Sequence, residues 1–184
     1  MIKSIGKVLL TTLFILCISS LSPAQEFAGV GLGFGYGHAF PLGGTKNGNL
    51  RDTEFTRFDI WGRFYLVEFL DGVLSEDLGF EVLTFDQPDG NAFFAVENTR
   101  WEYLGWELIR PFISARLGVG GSDVHGGWNK QHDGLLFALE PSIGVYLYGI
   151  EVSYVFHHMS NSNLYQPNSG INSNCVLVSV TVPL

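Results

Sequence analysis

Apolar residues recur at every second position along almost the whole chain. From Val30 they are Val30, Leu32, Phe34 and Tyr36, with glycines at 29, 31, 33, 35 and 37 between them. A period of two places the two sets on opposite faces of a β-strand. The division returns at 54–66, where Phe58, Ile60, Phe64 and Leu66 oppose Arg57, Asp59, Trp61 and Arg63. At 112–120, Ile113, Ala115, Leu117 and Val119 oppose Ser114 and Arg116; at 135–147, Leu135, Phe137, Leu139, Ile143, Val145 and Leu147 oppose Glu140, Ser142, Gly144 and Tyr146. Ile150, Val152, Tyr154 and Phe156 then oppose Glu151, Ser153, Val155 and His157. The pattern predicts eight strands, at 27–40, 54–69, 77–86, 92–109, 111–121, 134–147, 149–160 and 172–184. The fourth reads either as one bulged strand or as two pieces. If the first strand rises from the periplasm, connections at 41–53, 87–91, 122–133 and 161–171 lie outside, and generally shorter ones at 70–76, 110 and 148 lie in the periplasm.

Alternation alone does not separate a soluble sandwich or lipocalin, apolar inside, from a barrel with lipid outside and a polar lumen. Two features favour lipid. The polar faces carry few lysines and mix Arg, Asp and Glu with Gly, as a narrow interior of paired charges would. The strands are also long enough to cross a bilayer at a tilt. After residue 25 no run of 18 apolar residues offers a membrane helix. The expected fold is an all-β, eight-stranded antiparallel transmembrane β-barrel in the bacterial outer membrane.

The start of the chain supplies the export route. Lys3 and Lys7 precede an apolar run from Val8 to Ile18, and small residues end in Ser22-Pro23-Ala24. This predicts a secretory signal peptide over 1–24, cleaved after Ala24, with 25–184 as a single barrel domain. Leu16, before Cys17, is bulky where lipoprotein processing favours a small residue, so lipidation is not expected. Cleavage leaves Cys175 as the one cysteine, so no internal disulfide is expected, and Cys175 reads as a small strand residue. It also leaves eight basic against eighteen acidic residues, a formal charge of −10. That is the wrong sign for binding nucleic acid, and 46% apolar with 15% charged residues excludes a disordered chain.

Most catalytic chemistry is missing: there is no P-loop, Cys/His metal spacing or Gly-x-Ser-x-Gly elbow. His125 and His132 lie in the 122–133 connection with Asp123 and Asp133, where a solvated loop is preferred to a metal site. His38 stands near a strand end with no evident partner. The informative stretch is Phe156-His157-His158-Met159-Ser160-Asn161-Ser162-Asn163-Leu164. His158 and Ser160 are two residues apart and share the outward parity of Ile150 to Phe156, about 6.6 Å apart along a strand. Leaning side chains can close that gap, giving a base and a hydroxyl nucleophile aimed at lipid, where polar groups are costly unless they have a task. The plainer alternative is that Ser, Asn and His begin a polar loop in the headgroup zone. His157, with Glu151 and Ser153 on its face, belongs to an internal polar network.

His158-Met159-Ser160-Asn161, then Leu164 and Pro167-Asn168-Ser169-Gly170-Ile171-Asn172 before a last strand, resembles the end of the lipid A 3-O-deacylase (PagL) family, also described as acyloxyacyl hydrolase-like. The resemblance implies an outer-membrane esterase acting on lipid A in lipopolysaccharide. It implies Ser160 as nucleophile, His158 as its general base, Asn161 as an oxyanion contributor, and Asn168 as the asparagine of an Asn-Pro-Gly turn, here with Ser169 for proline. Asn163 stands where the family often has glycine and is counted with the site's supporting residues. Asn172 falls where members with a full triad carry glutamate. No Asp or Glu follows Glu151, so Asn172 is the expected third member, able to orient the imidazole but not to neutralise its cation. No metal or organic cofactor is required. The expected partners are the lipid A substrate and outer-membrane lipid, with a homodimer open. A non-catalytic structural or adhesive barrel, favoured by the missing glutamate, is the alternative; a soluble lipocalin-like carrier is the third.

Overall fold

The computed structural model describes residues 26–41, 53–86, 89–106, 108–123, 135–160 and 170–183. The predicted signal peptide lies outside the described residues. The strands are β1 (Glu26–Pro41), β2 (Thr53–Phe69), β3 (Gly72–Asp86), β4 (Asp89–Tyr103), β5 (Arg110–Ser122), β6 (Leu136–Leu147), β7 (Ile150–Ser160) and β8 (Ile171–Pro183). Each pairs antiparallel with its chain neighbours, and β8 returns to β1, closing an eight-stranded barrel. One hydrogen-bonded row runs from Ile150 through Val180, Leu32, Ile60, Phe80, Ala95, Val119 and Phe137 and meets β7 again at Ser160, ten residues further along. Such a stagger tilts the strands steeply, by about 35–45°.

The turn end departs from the predicted boundaries. Leu70 (φ 51°) and Asp71 (φ 54°) make a two-residue turn, so β3 begins at Gly72 rather than at 77. The left-handed pair matches strand twist, as in a tight hairpin. Gly72 pairs with Tyr103, which ends β4 there instead of at 109 and gives 104–109 to the connection expected only at 110. β4 is one continuous strand in register with β3 and β5; the bulges are in β1, between Phe27 and Gly29, and in β2, between Tyr65 and Val67. The second leaves Leu66 without a register partner in β3, so the outward row passes from Phe64 to Val67 rather than to Leu66.

Exposure decides between the two media. Phe34, Phe80 and Ile143 on the outside are 62%, 65% and 61% exposed, whereas Arg57 and Glu81 inside are each 1% exposed. A soluble protein would not leave a continuous apolar wall to water, so the wall is a lipid surface. Trp101, Tyr103, Trp106 and Tyr148 gather at the turn end, the usual place of aromatic anchors at a bilayer boundary. Glu76 and Glu97 depart from the rule, taking outward positions diagonal to each other across the β3–β4 pair.

The lumen is filled in two layers. Toward the turn end it holds ion pairs. Arg57 meets Asp59 at 2.9 Å, Glu81 at 2.7 Å and Glu140 at 2.8 Å, and Arg116 meets Asp59 at 2.6 Å. Below them Arg63 bridges Asp77 at 2.7 Å and Glu151 at 2.6 Å, and Arg100 joins Glu151 and Glu102. Toward the loop end Phe55, Phe85, Phe94, Leu83, Leu136, Met159 and Ile171 form a buried apolar plug. Charges desolvated in a closed barrel demand partners, and the plug excludes water from above them. The interior is therefore a packed core and not a channel.

Candidate active site

β7 carries the informative residues on both of its faces. Val155, His157 and Met159 point inward and are buried; Phe156, His158 and Ser160 point outward and are half-buried. His157 belongs to the lumen, its Nε2 3.4 Å from Glu81 Oε1 and 3.6 Å from Glu140 Oε1, and its ring edge-on to Phe94 at 5.8 Å. Those three groups bring potential ligand atoms within 4.8 Å of one another. Arg57 already holds the other oxygens of both carboxylates, so the cluster is an ion-pair network. Met159, 2% exposed in the plug, fixes the wall directly behind His158 and Ser160.

On the outside, the ladder sets His158 directly opposite Asn172 on β8, and the Nδ1 of His158 lies 2.7 Å from Asn172 Oδ1. The amide oxygen is an acceptor, so Nδ1 is the ring nitrogen that donates, and Nε2 keeps its lone pair. Gly170 lies against the same ring: a Cβ there would stand 2.5 Å from Cε1 and 3.2 Å from Nε2 of His158. The ring is thus held by an amide oxygen on one atom and by a bare backbone at its edge. On the other flank, Leu139 pairs with His158 and Phe137 with Ser160. Both are outward, giving the site an apolar side.

Ser160 ends β7 on the same face as His158. Among the described residues its hydroxyl makes no hydrogen bond to His158, a common condition before substrate draws a nucleophile and base together. Asn161, Asn163 and Asn168 lie outside the described residues, as do His125 and His132. Cys175 points inward, 2% exposed, opposite Gly37 in the ladder, away from the outward site. Gly170, Leu139 and Phe137 were not singled out by sequence reasoning. The glycine's place in Asn168-Ser169-Gly170 was visible, but its contact with the ring was not.

With this geometry in hand, comparison with known proteins is specific. The chain matches the sequence profile of "Lipid A 3-O-deacylase (PagL)" over residues 78–181, more than half of its length. The chain belongs to that family. A search of curated proteins gives no match. Among solved structures it is similar to the outer membrane enzyme PagL, at 20% identity and a TM-score of 0.64, covering 83% of this chain and 99% of that one. It is also similar to Neisserial surface protein A (NspA), at 12% identity and a TM-score of 0.56, covering 85% and 100%. Membership in the PagL family agrees with the lipid-facing wall: this is an outer-membrane β-barrel of a lipid A deacylase family. In such barrels the short connections are periplasmic and the long ones extracellular, which sets His158 and Ser160 at the level of the outer leaflet.

Proposed function

We propose that the protein is a serine esterase of the outer membrane, exported by a signal peptide over 1–24, that hydrolyses the ester-linked acyl chain at the 3-O position of lipid A. The observation that supports this best is the outward pairing of His158 Nδ1 with Asn172 Oδ1 at 2.7 Å, which frees Nε2 to act as a base two residues from a serine on the same lipid-facing strand edge. In the reaction, Nε2 takes the Ser160 proton as Oγ bonds to the ester carbonyl carbon. The tetrahedral intermediate collapses with cleavage of the bond to the sugar oxygen, which receives that proton from His158. Water, deprotonated by the same nitrogen, then releases the fatty acid and restores Ser160. Asn161 and backbone N–H groups hold the oxyanion, with Asn163 and Asn168 supporting the site, roles taken from the family resemblance. Asn172 orients the ring without adding a charge. No step calls on a metal or organic cofactor.

Mass spectra of lipid A from cells expressing the wild type and Ser160→Ala test the assignment. The wild type should remove one hydroxyacyl chain and the variant none; equal chain loss in both would sink it.

The asparagine at 172, where a full triad has glutamate, favours one second reading, a non-catalytic barrel with a structural or adhesive role. A serine-directed lipase probe separates the two, because an inert barrel leaves Ser160 unlabelled.

A further inference from the structure

The outward surface at the loop end is divided into two arcs, and His158 and Ser160 stand at their boundary. On one side the hydrogen-bonded row from Phe156 passes through Asn174 on β8 and His38 on β1 to Glu54 on β2. All four face outward. Asn174 follows Asn172 on the same face, and Tyr36 precedes His38, their rings 6.1 Å apart and nearly perpendicular at 76°. On the other side the row from Ser160 passes through Phe137 and Val119 to Ala95, and Leu139 stands beside His158. One flank of the catalytic pair thus offers amide, imidazole, phenol and carboxylate groups; the other offers hydrocarbon.

We propose that the polar arc of Asn174, His38, Tyr36 and Glu54 binds the sugar headgroup of the glycolipid substrate, while the chain to be cleaved lies over Phe137 and Leu139 on β6. The inference rests on the esterase assignment for the position of the scissile ester. The acyl chain and the sugar oxygen diverge from the carbonyl carbon that Ser160 would attack, and the wall beside Ser160 is divided into a hydrocarbon and a polar flank that can receive them separately. The arc's chemistry also selects which part of a headgroup it meets. The described arginines, Arg57, Arg63, Arg100, Arg110 and Arg116, are all engaged with the lumen or its periplasmic mouth, and no lysine is among the described residues. The arc's described residues include the acidic Glu54 and no arginine or lysine, which suits the hydroxyl-bearing face of a sugar better than a phosphate. The exposed Tyr36 ring supplies an apolar face for the sugar, and His38, Asn174 and Glu54 supply hydrogen-bond partners.

Kinetics of the purified full-length mature barrel in detergent, with lipid A and with p-nitrophenyl palmitate as a sugar-free ester, test this. The double variant His38→Ala/Asn174→Ala should raise KM for lipid A about tenfold relative to KM for the sugar-free ester, the effect of losing one or two hydrogen bonds, while kcat on lipid A stays within about twofold. An equal change in KM for both esters, or none for either, overturns the proposal. If Ser160→Ala cleaves lipid A as fast as the wild type, the esterase assignment fails separately. The arc is then judged by direct binding of a non-hydrolysable, ether-linked lipid A analogue, for which the same double substitution should weaken Kd about tenfold and an unchanged Kd overturns it.

Discussion

His158 and Asn172 are opposite each other across the β7–β8 ladder, and their side chains repeat the pairing of their backbones, with Nδ1 and Oδ1 2.7 Å apart. An amide oxygen here fixes the same tautomer a carboxylate would. In the proposed mechanism it would supply no negative charge to the imidazolium formed as Ser160 gives up its proton.

Restoring that charge should speed the reaction. Asn172→Glu is expected to raise kcat/KM on lipid A by about tenfold or more, and Asn172→Ala to lower it by about tenfold through loss of ring orientation. Initial rates with purified protein decide this. A glutamate variant no faster than the wild type would mean that orientation alone suffices.

Gly170 gives a second handle on the same ring. A methyl group there would fall 2.5 Å from His158 Cε1, so Gly170→Ala must push the imidazole out of line. Misplacement on that scale costs about 10- to 100-fold in rate. The expected signature is a lowered kcat with an unchanged urea midpoint, since the position lies outside the barrel wall. A fall in both would instead make the glycine a requirement of folding.

The lumen predicts stability in the opposite way to the site. Arg57 holds Asp59, Glu81 and Glu140 at once, so Arg57→Met leaves three buried carboxylates with too few cations. Breaking a buried pair by removing one partner costs about 3–5 kcal/mol. Urea titration of the barrel in lipid vesicles should show a loss of that order; a midpoint equal to wild type would contradict the charge network.

A paired test separates wall from interior. Ile143 is outward and 61% exposed, so in a water-soluble protein Ile143→Arg would be nearly neutral. Facing lipid near the middle of β6 it should cost about 2–4 kcal/mol, read from folding equilibria in vesicles, while Ile143→Leu should change little.

Much of this was legible in the chain because the two media are so different. Alternation identified the lumen side of Arg57, Asp59, Arg116, Glu140 and Glu151, and the parity of His158 and Ser160 placed them together on the outside. Parity gives a face but not an angle around the barrel, so the Arg63–Glu151 pair, 88 residues apart in sequence, could not be read. The turn at Leu70-Asp71 was also hidden, because neither residue is the glycine or asparagine that a left-handed turn ordinarily advertises. Gly170 escaped notice for a related reason: its contribution is a missing methyl against a ring, which only the folded position of the residue before β8 reveals. Glu76 and Glu97, outward among apolar neighbours, are not explained by the alternation at all.

His157 and His158 are adjacent in sequence and separated by the thickness of one sheet. Insertion or deletion of a single residue within β7 would exchange them, sending His158 into the sealed interior and stranding a lumen histidine in lipid. Length changes in this strand can be inherited only two residues at a time, or with a bulge that restores the phase. The wall therefore constrains how the enzyme can diverge as firmly as the reaction does.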